Sequence, residues 1–106
     1  MAPCGPWIVP AAFVPDPQNL RLQLAVNGAP MQDGNSREML WQVDEQLAEI
    51  SRFVTLVPGD IVFTGSPAGS AASKGVPFLK PGDRIRAEIE SIGVLEVELS
   101  AAGVVP

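Results

Sequence analysis

The chain has 106 residues, 46% of them apolar, and 12 acidic against 7 basic side chains for a net charge of −5. That length holds one small domain or part of one, with a marginal core, and without a Lys/Arg cluster a nucleic-acid partner is disfavoured, because phosphate binding needs clustered cations. There is no histidine and one cysteine, Cys4, which excludes a Ser-His-Asp triad, an internal disulfide and any zinc cage of histidines or several thiolates.

The first 17 residues carry Pro3, Pro6, Pro10, Pro15 and Pro17. Proline cannot donate to a ladder, so mostly extended irregular chain is expected, with Trp7-Ile8-Val9 the only strand-like piece. The segment lacks the basic region and apolar run of a signal peptide, and no run in the chain is long enough to cross a bilayer. Cys4 has no histidine to activate it and reads as an incidental thiol; a reducing, cytoplasmic setting is the expectation. From Leu20, apolar Leu22, Leu24 and Val26 alternate with Arg21, Gln23 and Ala25, the period of a half-buried strand. Asn27-Gly28 is a preferred two-residue hairpin turn. The predicted register sets Val26 opposite Ala29 and Leu24 opposite Met31, with Pro30 confining the return strand to a sheet edge. Gln23 and Gln32 read as a solvated pair.

Asn35 or Ser36 can cap a helix, Asn35 and Glu38 having capping-box spacing. Met39, Leu40, Val43, Leu47, Ile50 and Val54 fall on one helical stripe, which predicts a single main helix over about 36–54. Glu45 and Glu49 belong to its solvated face. Trp41 lies partly off the stripe and is free to pack elsewhere.

Pro58-Gly59 then turns the chain into Asp60-Ile61-Val62-Phe63, a short run that reads as a buried strand. It ends in Thr64-Gly65-Ser66-Pro67-Ala68-Gly69. Small residues let backbone approach a ligand closely, and Thr64 and Ser66 bring two hydroxyls to one place. Two readings stand: a wall of a binding site at the end of a core strand, or a connector whose hydroxyls bond nearby backbone.

Ser70 to Gly75 reads as a mobile stretch in which Lys74 is solvated. Val76 to Leu79 packs back, and Pro81-Gly82 turns the chain. Arg84 to Glu90 and Leu95 to Leu99 each alternate with period two, joined at Ser91-Ile92-Gly93. The predicted register pairs Arg86 with Glu98 and sets Glu88 against Glu96. Those two glutamates would ligate a metal only if other groups converged on them. The tail after Ser100 is expected to fray. The fold class is α+β and β-rich: a mixed β-sheet or roll with one main helix.

The run Val57 to Gly69 resembles the signature of the fumarylacetoacetate hydrolase family, whose loop usually reads Thr-Gly-Thr-Pro-x-Gly; Ser66 departs from it but keeps the hydroxyl. Gly5 to Val9, Asp16 to Leu20, Asn27-Gly28, Gln32 to Ser36, Phe78 to Asp83 and Glu90 to Gly93 resemble further pieces of that family, in order and spacing. The resemblance extends over residues 1–106 and is to the C-terminal part of the catalytic domain only. It implies a metal-dependent hydrolase, isomerase or decarboxylase of small oxo-carboxylic acids, with Thr64, Gly65 and Ser66 at the substrate. It also implies a divalent cation (Mg, Mn or Ca) and a homo-oligomer, usually a dimer. The family's acidic metal ligands, two of them in a Glu-x-Glu motif, belong to the part that precedes the Gly-Pro-Trp segment. No metal ligand is therefore assigned here, and the chain by itself is expected to be inactive. The alternative is a non-catalytic fragment, or a subunit that completes an active site on another chain.

Overall fold

The computed structural model describes residues 3–101. Four strands form one antiparallel sheet: β1 (Arg21–Val26), β2 (Ala29–Asn35), β3 (Arg84–Ile89) and β4 (Gly93–Glu98), in the order β2-β1-β3-β4. One helix of any length, α1 (Val43–Ile50), stands beside it, and a single turn of helix, α2 (Ala71–Lys74), follows the Thr64–Gly69 loop. The α+β, β-rich class holds, and all described strand pairs are antiparallel.

The first hairpin turns where the sequence indicates. Asn27 and Gly28 both take positive φ, 51° and 82°, as a two-residue turn of this hand demands. Val26 pairs with Ala29, but the register slips after Ala25, so Leu24 faces Gln32 rather than Met31. Pro30, with no N–H to give, sits at the irregularity, and β2 is an edge strand. The Asn27 side chain then ties the turn to the start of β3. Its amide nitrogen donates to Asp83 (2.9 Å), and its oxygen accepts from the Arg84 N–H (2.8 Å). The second hairpin differs from its expected register by two residues. Ile89 pairs with Gly93, so Arg84 faces Glu98 and Arg86 faces Glu96. Both pairs are ionic, at 3.2 and 3.6 Å. This register removes the Glu88–Glu96 opposition and lays Trp7 on Gly93, where a Cβ would come 2.8 Å from the indole.

Three expected elements are shorter or absent. Helix over 36–54 contracts to Val43–Ile50, preceded by a 3₁₀ turn at Ser36–Glu38. Asn35 caps that turn, its side chain accepting from the Arg37 N–H at 2.9 Å, and Met39 leaves helical geometry. The α-helix starts afresh where Glu45 accepts from the Gln42 N–H (2.8 Å) and Gln18 accepts from the Val43 N–H (2.9 Å). Two competing caps thus divide one apolar stripe, and no residue of α1 is buried. Asp60–Phe63 belongs to no ladder, since none of the described strands pairs with it; Trp7–Val9 is likewise not a strand. Ser70–Gly75, expected as a loop, contains α2, which begins with Ser70 accepting from the Ser73 N–H. The residues after Ala101, including most of the expected frayed tail, lie outside the described part.

The apolar face of the sheet carries Leu22, Leu24, Val26, Ile85, Ala87, Leu95 and Val97, all only half-buried. Leu20 is the one buried apolar residue among those described, 7% exposed. Ser36 is buried beside it and is bonded to it twice: the Ser36 hydroxyl accepts from the Leu20 N–H (2.8 Å), and the Ser36 N–H donates to the Leu20 carbonyl (2.9 Å).

Candidate functional site

The Thr64–Gly69 loop is fastened along the edge of β2 at three points. The Gln32 side-chain amide donates to the Pro67 carbonyl at 2.6 Å. Pro67 packs on Gly34, where any side chain would meet its ring at 2.9 Å. Gly69, at φ 112°, lies directly over the Met31 carbonyl oxygen, so no Cβ fits there. The register irregularity at Pro30 and Met31 accordingly falls where the loop's last residue meets β2. Gln32 is not half of a solvated pair: its partner is the loop, a contact of 35 residues' separation that no local pattern signals.

Held this way, Thr64, Gly65 and Ser66 line one side of an open cleft of about 560 Å3. Leu22, Asn35, Ser36, Glu38 and Met39 form the opposite side, and Leu40 and Trp41 stand at its rim, both exposed. Among the described residues the Thr64 and Ser66 hydroxyls have no hydrogen-bond partner, whereas those of Ser36, Ser51, Ser70 and Ser73 are bonded; the exposed hydroxyls of Thr55, Ser91 and Ser100 are likewise unbonded, so what distinguishes Thr64 and Ser66 is their place on the cleft lining. Gly65 takes φ 94° with nothing within 4 Å of where a side chain would stand, so the backbone between the two hydroxyls is bare to the cleft. The sequence pointed to the loop but missed Asn35, Ser36 and Glu38 as the facing wall. Their only local signal was capping, which the 3₁₀ turn does use.

Glu38 is the one ionisable residue lining the cleft. No group of three His, Cys, Asp or Glu comes together among the described residues. A hard divalent cation takes about six oxygen ligands, so this donor set does not make up a metal centre. Shifted acid–base properties lie away from the cleft. The Lys80 backbone N–H and the Asn27 amide hold the Asp83 carboxyl below its ordinary range. The Arg21 guanidinium, bonded to it at 2.7 and 2.9 Å, holds Asp33 down in the same sense. Glu88 and Glu96 are each engaged by Arg86 and do not face the loop.

Comparison with known proteins places these features in a wider setting. The family described as fumarylacetoacetate (FAA) hydrolase C-terminal matches residues 1–100. An uncharacterised protein of Staphylococcus aureus strain USA300 is 46% identical over 94 residues, which is 88% of this chain and 31% of that protein. The crystal structure of maleylpyruvate hydrolase from Sphingobium sp. SYK-6 in complex with manganese(II) ion and pyruvate superimposes with a TM-score of 0.81 at 38% identity, covering 91% of this chain and 34% of that one. That of 2-hydroxyhepta-2,4-diene-1,7-dioate isomerase from Mycobacterium marinum gives 0.79 at 37% identity, covering 94% and 36%. The chain thus spans about a third of the length of these relatives. No described helix is long and apolar enough to cross a membrane.

Proposed function

Because this chain belongs to the fumarylacetoacetate hydrolase family, we propose that it supplies the substrate-loop part of an enzyme acting on small oxo-carboxylic acids, with Thr64, Gly65 and Ser66 binding the substrate. The observation that carries this reading is that a loop pinned to β2 places two unengaged hydroxyls side by side on the cleft lining. A connector would turn those hydroxyls back onto its own backbone; here they are free to donate to, or accept from, a carboxylate or carbonyl oxygen in the cleft. The named hydrolase and isomerase among the similar structures agree with one substrate chemistry serving more than one reaction. Hydrolysis, isomerisation and decarboxylation of oxo-acids all pass negative charge onto a carbonyl oxygen, and a polar wall of fixed geometry stabilises it.

The cleft lining contains Glu38 and no Lys or Arg. Positive charge to hold an anionic oxo-acid therefore comes from outside this set. A manganese ion accompanies pyruvate in the Sphingobium relative, and a divalent cation on carboxylates beyond residues 1–106 would supply the charge here. Within this chain the work is positional: Gln32, Gly34 and Gly69 set the loop, and the loop presents the hydroxyls. The working unit is a homo-oligomer in a cytoplasmic setting, which agrees with the wide apolar surface and with the exposed free thiol of Cys4. Light scattering from a full-length assembly showing a monomer at high concentration would reject the oligomer.

The test is a graft. The Sphingobium maleylpyruvate hydrolase receives residues 3–101 of this chain in place of its own matching third and is assayed on maleylpyruvate with manganese. Turnover is expected, and Ser66→Ala in the graft should lower kcat/KM roughly ten- to a hundredfold, the worth of one hydrogen bond to a charged group. A folded graft whose activity ignores Ser66→Ala and Thr64→Val would reject the assignment of the loop.

A further inference from the structure

The chain has three asparagines, Asn19, Asn27 and Asn35, and the residue after each decides what its side chain can do. An asparagine side chain closes on the backbone when the following peptide nitrogen reaches its Cγ. At Asn19 and Asn35 that nitrogen is engaged: the Leu20 N–H donates to the Ser36 hydroxyl (2.8 Å), and the Ser36 N–H donates to the Leu20 carbonyl (2.9 Å). Asn27 is followed by Gly28, whose N–H makes no hydrogen bond among the described residues. Gly28 has no side chain to shield that nitrogen, and nothing beyond its two chain neighbours lies within 4 Å of where a Cβ would stand. Both turn residues are exposed to water. What holds the reaction back is the Asn27 side chain itself. Its amide nitrogen donates to the buried Asp83 (2.9 Å) and its oxygen accepts from the Arg84 N–H (2.8 Å), so the whole amide is drawn across to the start of β3. Turning Cγ toward Gly28 breaks both bonds, one of them to a charged acceptor.

We propose that Asn27 is a site of spontaneous deamidation, gated by the clamp that Asp83 and Arg84 put on its side chain. The Gly28 nitrogen bonds to Asn27 Cγ, the bond from Cγ to the amide nitrogen breaks, and the Gly28 proton leaves with that nitrogen as ammonia. Water then opens the five-membered imide at either carbonyl, leaving aspartate or isoaspartate. The net change is one water consumed and one ammonia released, with no oxidant or reductant. The product undoes the clamp. An aspartate at this position sets a second carboxylate where the donating nitrogen stood, at hydrogen-bond distance from Asp83, and two acceptors of like charge repel. An isoaspartate also lengthens the backbone of a two-residue turn whose geometry fixes the register of β1 on β2. Because β2 carries Gln32 and Gly34, which fasten the Thr64–Gly69 loop, the change acts on the cleft from the far end of the hairpin. None of this depends on which reaction the cleft serves.

Timed incubation of the graft in mildly alkaline buffer, followed by tryptic mapping in a mass spectrometer, tests it. The peptide of residues 22–37 carries both Asn27 and Asn35, so one spectrum compares them. Conversion is expected at Asn27, as a mixture of aspartate and isoaspartate, with Asn19 and Asn35 unchanged. Asp83→Ala should speed it roughly ten- to a hundredfold, the worth of one hydrogen bond to a charged group. Asn19 and Asn35 are the control for unfolding. If they accelerate too, Asp83→Ala has unfolded the graft and Asp83→Asn decides, with about a fivefold gain expected from exchanging a charged acceptor for a neutral one. Gly28→Ala should slow the conversion, since a methyl then crowds the attacking nitrogen. Conversion of all three asparagines at one rate in the folded graft would overturn the proposal. So would an Asn27 that stays intact, or one whose rate neither Asp83 variant changes.

Discussion

Gly28 and Gly69 both hold positive φ, 82° and 112°, yet different constraints keep them. At Gly28 a side chain would meet nothing within 4 Å, so Gly28→Ala costs only the backbone strain, about 1 kcal/mol. At Gly69 the same change drives a methyl into the Met31 carbonyl. The loop must then leave β2, at a cost of more than about 2 kcal/mol. Thermal unfolding of the two variants in the graft should separate them in that order, and Gly69→Ala should also lower activity by displacing Thr64 and Ser66. Equal melting temperatures would show that the loop is not pinned as described. Gln32→Ala removes the amide that holds the Pro67 carbonyl; its effect should fall on kcat/KM more than on stability, since the other two fastenings remain.

The hairpins are the elements that hold the site, and one carboxylate couples them. Asp83 is buried, 8% exposed, and accepts from the Lys80 N–H (2.8 Å) and the Asn27 amide (2.9 Å). Those donors favour the ionised form, so the folded-state pKa lies below the unfolded one. The stabilisation is therefore fully present above the ordinary carboxylate range and disappears as pH falls through the depressed value. Asp83→Asn should lower the urea midpoint of the graft at neutral pH and flatten its decline in acid. Asp33 titrates in the same direction through Arg21, but that pair is exposed on both sides. Salt screens an exposed ion pair and not a bond from a backbone N–H. In about half-molar salt the Asp83 contribution should persist while that of Asp33 fades. An Asp83→Asn variant with an unchanged acid profile would remove this carboxylate from the account.

At the scale of the whole molecule, one buried apolar residue among those described is too little to close a core. The sheet's apolar face is half-covered by the loop and by Val76–Lys80 on one side, and α1 lies beside it without burying a residue. The 106-residue chain alone should unfold broadly, with a small dependence on urea, because little surface is exposed in the process. Isothermal calorimetry with magnesium or manganese should show no tight site on it, since the described residues bring no three ligands together, and acetylpyruvate and oxaloacetate should not be turned over. Micromolar affinity with metal-dependent turnover by this chain would refute that and would place ligands among its own carboxylates.

Local chemistry settled what the sequence could be read for. The Asn27-Gly28 turn, the Pro58-Gly59 turn, the two alternating hairpins and the family signature at Thr64–Gly69 are short-range patterns, and each depends on residues a few positions apart. Tertiary structure decided the rest. The helix is divided because Gln18, 25 residues away, caps Val43 in place of continuation from Asn35. The second hairpin slips by two residues because that register pairs Arg84 and Arg86 with opposite charges and leaves Gly93 for Trp7 to cover. Ile61 and Phe63 carry a strand's sequence, but a ladder needs a neighbour, and no local pattern shows whether one lies within the same chain. The facing wall of the cleft was hidden for the same reason: Asn35 and Ser36 satisfy local caps in sequence, and only folding brings them opposite two hydroxyls some thirty residues away.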